Sequence, residues 1–300
     1  MEYMQEMNVT TASFFTLEAL LDAYSNKTVL FAKALVYDRG KGLKFNLGGY
    51  EAFMPNSEVY LSFDKDNIKE AAIATRVNKM VCFVVTDVVQ NGAEYCFEIS
   101  RKKAQQMFFD NYICKLQSGD IIPCCVTHID RFGAFCDIGY GISALLPIDF
   151  ISVSRIQSPA DRFYVGENIY ACIKSIDKSS RIVLSHKELL GTWLENAAYF
   201  KAGTSTTGIV RSIESYGIFI ELAPNLAGLA EICEGIEIGD VVNVYIKNIL
   251  PDKMKIKLVI ISTLKEETFL PGIKYFITEG HITHWKYSTE NCAKLIETTF

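Results

Sequence analysis

Two runs in this chain set aromatic rings three positions apart around a glycine: Phe132-Gly133-Ala134-Phe135 and, 84 positions later, Tyr216-Gly217-Ile218-Phe219. The chemistry open to such rings is noncovalent. An exposed ring stacks on a nucleobase, worth about 1–3 kcal/mol per base and tolerant of sequence. A ring turned inward is simply core, the default for a phenylalanine on a strand. The glycine beside the first ring favours exposure, and the recurrence of the run points to repeated domains. Residues two apart share a strand face, so rings three apart converge only on a strand that twists and coils as barrel strands do.

Covalent chemistry finds little to work with. The sequence holds no G-x-S-x-G, no phosphate-binding Walker loop and no H-E-x-x-H. It has four histidines, and His281 and His284, three apart in a strand-like run, fall on opposite faces. Nine cysteines lie scattered with no C-x-x-C and no histidine pair beside them, which suits reduced thiols serving as small hydrophobes. The expectation is a protein that is not an enzyme, with no catalytic residues, no metal site and no cofactor.

The residues around the first run extend the pattern. Gly119 opens a β-rich stretch, followed by Arg131-Phe132-Gly133-Ala134-Phe135, Asp137-Ile138-Gly139, Leu145-Leu146-Pro147-Ile148, Tyr164-Val165-Gly166, Ile176-Asp177 and Arg181-Ile182-Val183-Leu184-Ser185. In that order and spacing the stretch resembles the S1 RNA-binding domain, the repeat unit of the bacterial 30S ribosomal protein S1 family. The resemblance implies a mainly β fold of tandem five-stranded OB-type barrels, each holding single-stranded RNA on one face. It implies RNA-binding roles for Phe132, Phe135, Asp177 and Arg181 in one repeat, and for Tyr216, Phe219 and Lys255 in the next. Arg181, on the last strand, would stack on a base or reach a phosphate, with Asp177 orienting it or accepting from a base. Pro147 stands where the family often has histidine, and Ala144 replaces a glycine. In the later repeat Lys255 replaces the arginine and Leu250 the acid, so that repeat is expected to bind more weakly.

Three barrels fit the chain. Residues 1–26 read as a helical extension, its first 13 residues lying along or fraying from a barrel before a helix capped by Thr16. A degenerate barrel spans 27–103, where Arg39-Gly40-Lys41-Gly42-Leu43 replaces the aromatic run. It carries more basic than acidic side chains, Lys65 and Lys69 among them, which suits solvation or a docking face. A helical connector at 104–118, opened by Ser100, leads to the barrel at 119–186. A second connector at 187–202, opened by a Ser185–Glu188 capping box, leads to the barrel at 203–263. The extension at 264–300 reads as a hairpin around Glu279-Gly280 and a helix from Ser288.

The net charge of −5 tells against a purely electrostatic nucleic-acid binder. Stacking with few flanking cations remains open, and predicts a shallow salt dependence. No apolar run approaches the roughly 20 residues of a membrane helix, and the acidic start does not resemble a secretory signal, so a cytoplasmic protein without a membrane partner is expected. The resulting expectation is a protein of the translation apparatus that binds single-stranded RNA or mRNA. Small ribosomal subunit proteins are further candidate partners, and no small-molecule substrate is implied. Two alternatives are a protein-docking scaffold on the ribosome or another RNA machine, and an RNA-processing enzyme subunit.

Overall fold

A computed structural model describes residues 4–61, 70–92, 94–177, 180–264 and 272–300. Charges counted above at Lys65 and Lys69, and the first residues of the C-terminal extension, lie outside them. The chain forms two compact units, Met1–Leu116 with Cys136–Ala144 and Ile176–Arg181, and Gln117–Phe135 with Leu145–Ser175 and Ile182–Phe300.

The first unit is built on strands β1 (Leu30–Lys33), β2 (Val36–Asp38), β3 (Gly42–Leu47), β4 (Tyr50–Pro55), β5 (Met80–Asn91) and β6 (Glu94–Ser100). Their order is β1-β5-β6-β4-β3-β2, with β4 and β6 parallel. The edge strands β1 and β2 are two halves of one extended run, parted only by Ala34 and Leu35, and the Leu35 N–H still reaches Lys44 O at 2.9 Å. One broken strand thus serves both ends of the sheet, the five-strand OB connectivity with its first strand split. Along β3 the period of two is plain: Leu43, Phe45 and Leu47 are buried, while Lys44 and Asn46 face out.

Helix α1 (Leu17–Asn26) starts at Thr16, whose hydroxyl accepts the Ala19 N–H, as its sequence predicted. The described residues from Met4 to Asn8 lie along the first barrel, one of the two expectations. Glu6 is buried and takes Arg101 in two bonds, Nε to Oε1 at 2.7 Å and Nη2 to Oε2 at 2.8 Å, and also accepts the Cys82 N–H. Arg101 is wholly buried. The Arg101 guanidinium beside Glu6 holds that carboxyl below its usual range against the opposing effect of burial. After a short helix α2 (Glu70–Ala74), helix α3 (Arg101–Asn111) begins at Ser100, whose hydroxyl accepts the Lys103 N–H at 2.9 Å.

Two closed barrels follow. The middle one joins β7 (Ile121–Asp130), β8 (Gly133–Asp137), β9 (Ser143–Pro147), β10 (Asn168–Ile176) and β11 (Ile182–Ser185) in the order β10-β11-β9-β8-β7. The third joins β12 (Ser205–Glu214), β13 (Gly217–Ala223), β14 (Leu226–Ala230), β15 (Val241–Leu250) and β16 (Lys255–Thr263) in the order β12-β13-β14-β16-β15. In each, the third and fifth strands run parallel, and closure leaves no free edge. Alternate residues Val242, Val244 and Ile246, with Ile256 and Leu258, fill the third barrel.

The second connector differs from its prediction. Ser185 is buried at the end of β11 and its hydroxyl bonds the buried Glu188 carboxylate, so this pair makes a side-chain contact and caps no helix. A 3-10 turn over Lys187–Leu190 stops at Gly191, whose φ of 77° breaks the helical path. Helix α4 (Trp193–Ala197) starts only afterwards, with Thr192 and Glu195 as its capping box. Trp193 is buried against the third barrel and the C-terminal segment.

The C-terminal segment also departs from expectation. Strands β17 (His284–Lys286) and β18 (Glu297–Thr299) pair with each other, and no hairpin forms around Gly280. Residues 274–278 instead use their side chains and backbone as anchors: Phe276 N–H donates to Leu189 O, and the Tyr275 hydroxyl reaches His186. The helix expected from Ser288 is displaced by Ser288 itself, whose hydroxyl donates to Lys294 O and accepts the Ile296 N–H at 2.7 Å each, closing a loop.

His186 yields a pH expectation. Its Nδ1 donates to Ile151 O at 2.9 Å, which leaves Nε2 to accept from the Tyr275 hydroxyl at 3.1 Å. Burial depresses its pKa from 6.5 to about 4. Between those values the unfolded chain binds the extra proton, so stability is full above pH 6.5 and is lost as pH falls toward 4, by about 3 kcal/mol. His186→Gln should flatten this acid limb in denaturant titrations at pH 4–7, whereas an unchanged slope would place the limb elsewhere.

Candidate nucleic-acid interface

The aromatic runs sit at matching places in the two closed barrels. Phe132 lies in the turn between β7 and β8 and Phe135 on β8; their rings meet edge to face, centroids 5.9 Å apart at 89°. Tyr216 and Phe219, in the corresponding turn and on β13, repeat this at 6.0 Å and 89°. In both pairs the first ring is exposed, Phe132 by 52% and Tyr216 by 67%, and the second is half-buried. The glycines explain the shape. A Cβ on Gly133 would stand 2.6 Å from Leu146 O, and one on Gly217 2.6 Å from Ala230 O, so only glycine lets the turn press onto the neighbouring strand and turn the rings outward.

A third ring joins the middle pair. His128 on β7 is exposed and lies 6.0 Å from Phe135 with planes tilted by 30°. The 84-residue offset could have found it, since Ser212 pairs with Phe219 across the third barrel's first hairpin and His128 is its counterpart.

Asp177 and Arg181 are brought together in the turn between β10 and β11. The Arg181 N–H donates to Asp177 Oδ1 at 2.8 Å, and the Asp177 N–H donates to Arg181 O at 3.0 Å. Arg181 precedes β11 and is not on it, and both side chains are exposed. The acid therefore shapes the turn that presents the arginine.

In the third barrel Tyr216, Phe219 and Lys255 all line one cleft of about 550 Å³. Sequence reasoning did not assign to it four other cations that line it: Lys253 in the turn before β16, Arg211 on β12, Arg155 from the segment after β9, and Lys294 from the C-terminal loop. No window of local sequence joins them.

The cleft wall is held by buried charge. The Glu221 carboxylate on β13, fully buried, is clamped by Arg162 through both oxygens and by Arg211 Nε at 2.6 Å, and Arg211 Nη1 lies 3.3 Å from Asp161. Beside it Asn225 accepts the Val153 N–H at 2.9 Å and donates to Lys187 O at 2.8 Å, while its carbonyl accepts the Tyr287 hydroxyl. These bonds fix segment 152–162 and the C-terminal segment against the third barrel. Among the described residues no cluster of His, Cys, Asp and Glu is arranged to hold a metal, and no helix is long and apolar enough to cross a membrane.

Residues 115–187, which include the strands of the middle barrel, match the S1 RNA binding domain family. The chain is similar to the small ribosomal subunit protein bS1 of Staphylococcus saprophyticus, 28% identical over 268 residues, which cover 84% of this chain and 66% of that protein. Its counterpart from Staphylococcus epidermidis is 34% identical over 189 residues, covering 57% of this chain and 48% of the relative. The chain thus spans about half to two-thirds of the length of these relatives. Among solved structures it is similar to a multidomain protein with nucleic acid binding domains from Streptococcus pneumoniae, at 12% identity and a TM-score of 0.26, covering 78% of this chain and 73% of that one.

Proposed function

We propose that this protein binds single-stranded RNA in the setting of translation, with bases stacking on Phe132 and Phe135 in the middle barrel and on Tyr216 and Phe219 in the third. The observation that carries this reading is the edge-to-face ring pair repeated in both barrels, with one ring exposed and one half-buried each time. Arg181 and Lys255 supply charge for the backbone, and Asp177 holds the turn that carries Arg181. His128 extends the middle platform. The match of the middle barrel to an RNA-binding domain family, and the likeness to a ribosomal protein, support the same reading.

The first barrel has a separate role in this proposal. Where the platforms of the other two would lie it has none, and it offers an apolar cleft of about 560 Å³ lined by Leu35, Val36, Phe53 and Val89. Leu35, Val36 and Val89 are each more than 40% exposed, which favours docking to a protein of the small ribosomal subunit.

Anisotropy titrations of the full chain against unstructured oligouridylate and an RNA duplex should give clear preference for the single strand, with no cleavage of either. Equal affinity for the duplex would overturn stacking as the mode of binding. Sedimentation with small ribosomal subunits checks the docking role, and no co-sedimentation would remove it.

A further inference from the structure

We infer that the third barrel's platform is one end of a composite, positively charged RNA path that leaves the barrel through Arg155 and Lys294 and ends beside Lys187, a path that rests on the RNA-binding reading above. The cleft holding Tyr216 and Phe219 shares Val153, Ser154, Arg155, Lys294 and Ile296 with a second depression, which continues to Ile148, Asp149 and Lys187. The two adjoin along these five residues. Along the two lie the cations Lys255, Lys253, Arg155, Lys294 and Lys187, against the acids Glu214 and Asp149.

This excess stands out in a chain whose net charge is −5. Among the described residues Lys253, Lys255 and Lys294 form no ion pair, and Arg155 has only a long, exposed one, 3.8 Å to Glu214. Arg211, also in the cleft, is already committed to Glu221 and Asp161. A row of five cations against two acids, leading away from a stacking platform, fits a polymer with one phosphate per stackable base, which is single-stranded RNA.

The path is also pre-formed. Three stretches distant in sequence build it, and the Arg162–Glu221–Arg211 cluster and Asn225 fix two of them in place, so binding need not order these walls. Arg155 and Lys294 each come from outside the third barrel's strands. A charge count confined to residues 203–263 therefore understates what that barrel offers RNA, and its share of affinity should grow with RNA length.

The test uses the full chain with Arg155→Ala and Lys294→Ala combined, titrated with oligouridylate of about 6 and about 30 nucleotides, lengths set by the site size of one barrel and more than two. Each lost phosphate contact lowers the slope of log affinity against log salt by about 0.7, so the double variant should lose about 1.4 in slope and on the order of 10-fold in affinity on the long RNA. The short RNA, which the middle barrel's platform can hold alone, should change less. Both residues are exposed, and melting should be unaltered. If the double variant binds long RNA with unchanged affinity and slope while Tyr216→Ala weakens it, the path is wrong and the platform stands. If the unaltered protein binds neither RNA, the RNA-binding reading fails and the path with it. Loss of polyglutamate binding with RNA binding intact would assign the path to an acidic protein segment and overturn the proposal.

Discussion

Replacing Glu221 with alanine should destabilise the second unit, which holds the third barrel, by about 3–5 kcal/mol, the cost of leaving a buried charge without its partner. Glu221 is fully buried, and so is Arg162, which bonds both of its oxygens; Arg211 is 9% exposed and keeps only Asp161 once the carboxylate is gone. The effect should be large against the roughly 5–15 kcal/mol that holds a domain folded. Urea unfolding of the variant and of Glu221→Gln separates charge from shape. Gln keeps the volume and some hydrogen bonds but strands both guanidinium groups, so it should recover only a minor part of the loss. A loss under about 1 kcal/mol in the alanine variant would mean that water replaces the carboxylate readily, and that the cluster does not fasten segment 152–162.

Phe132→Ala should reduce affinity for unstructured RNA by about 1–3 kcal/mol, roughly 5- to 150-fold, with little change in melting temperature. Half of this ring faces solvent, so its removal leaves no sizeable cavity. Phe135→Ala should differ, because that ring is half-buried between Phe132 and His128 and its removal costs stability as well as binding. Anisotropy and melting on both variants distinguish the roles. If Phe132→Ala melts far lower and its folded fraction binds RNA normally, the ring is a packing element and the platform is not where bases stack.

The two rings and their glycine were visible in sequence because the constraint is local. Turn, glycine and flanking rings fall within four residues, and the steric demand at Gly133 recurs at Gly217. Helices capped by Thr16 and Ser100 were visible for the same reason, since a cap reaches only two or three residues along the chain. Where a competing bond was equally local, the signal misled. Ser185 and Glu188 have the spacing of a capping box, yet the real box is Thr192–Glu195, because Gly191 interrupts the run between them. Ser288 has the look of a helix start, but its hydroxyl closes a loop onto Lys294 and Ile296. Glu6 and Arg101, which pair across 95 residues inside the first unit, had no signature at all.

The sequence by itself determined the repeated barrels, the position of the aromatic turns and the absence of a platform around Arg39–Leu43, because period-two alternation, glycine and ring spacing act between neighbours along the chain. Only the tertiary structure decided which charges stand open to a partner and which are spent inside the protein. Arg101, Arg162 and Arg211 are indistinguishable in sequence from Arg155, yet folding buries the first three against carboxylates and leaves Arg155 in an open cleft with Lys253, Lys255 and Lys294. Charge acts through space, over several ångströms and with a strength set by burial, so its meaning is fixed only when segments distant in sequence have been brought side by side.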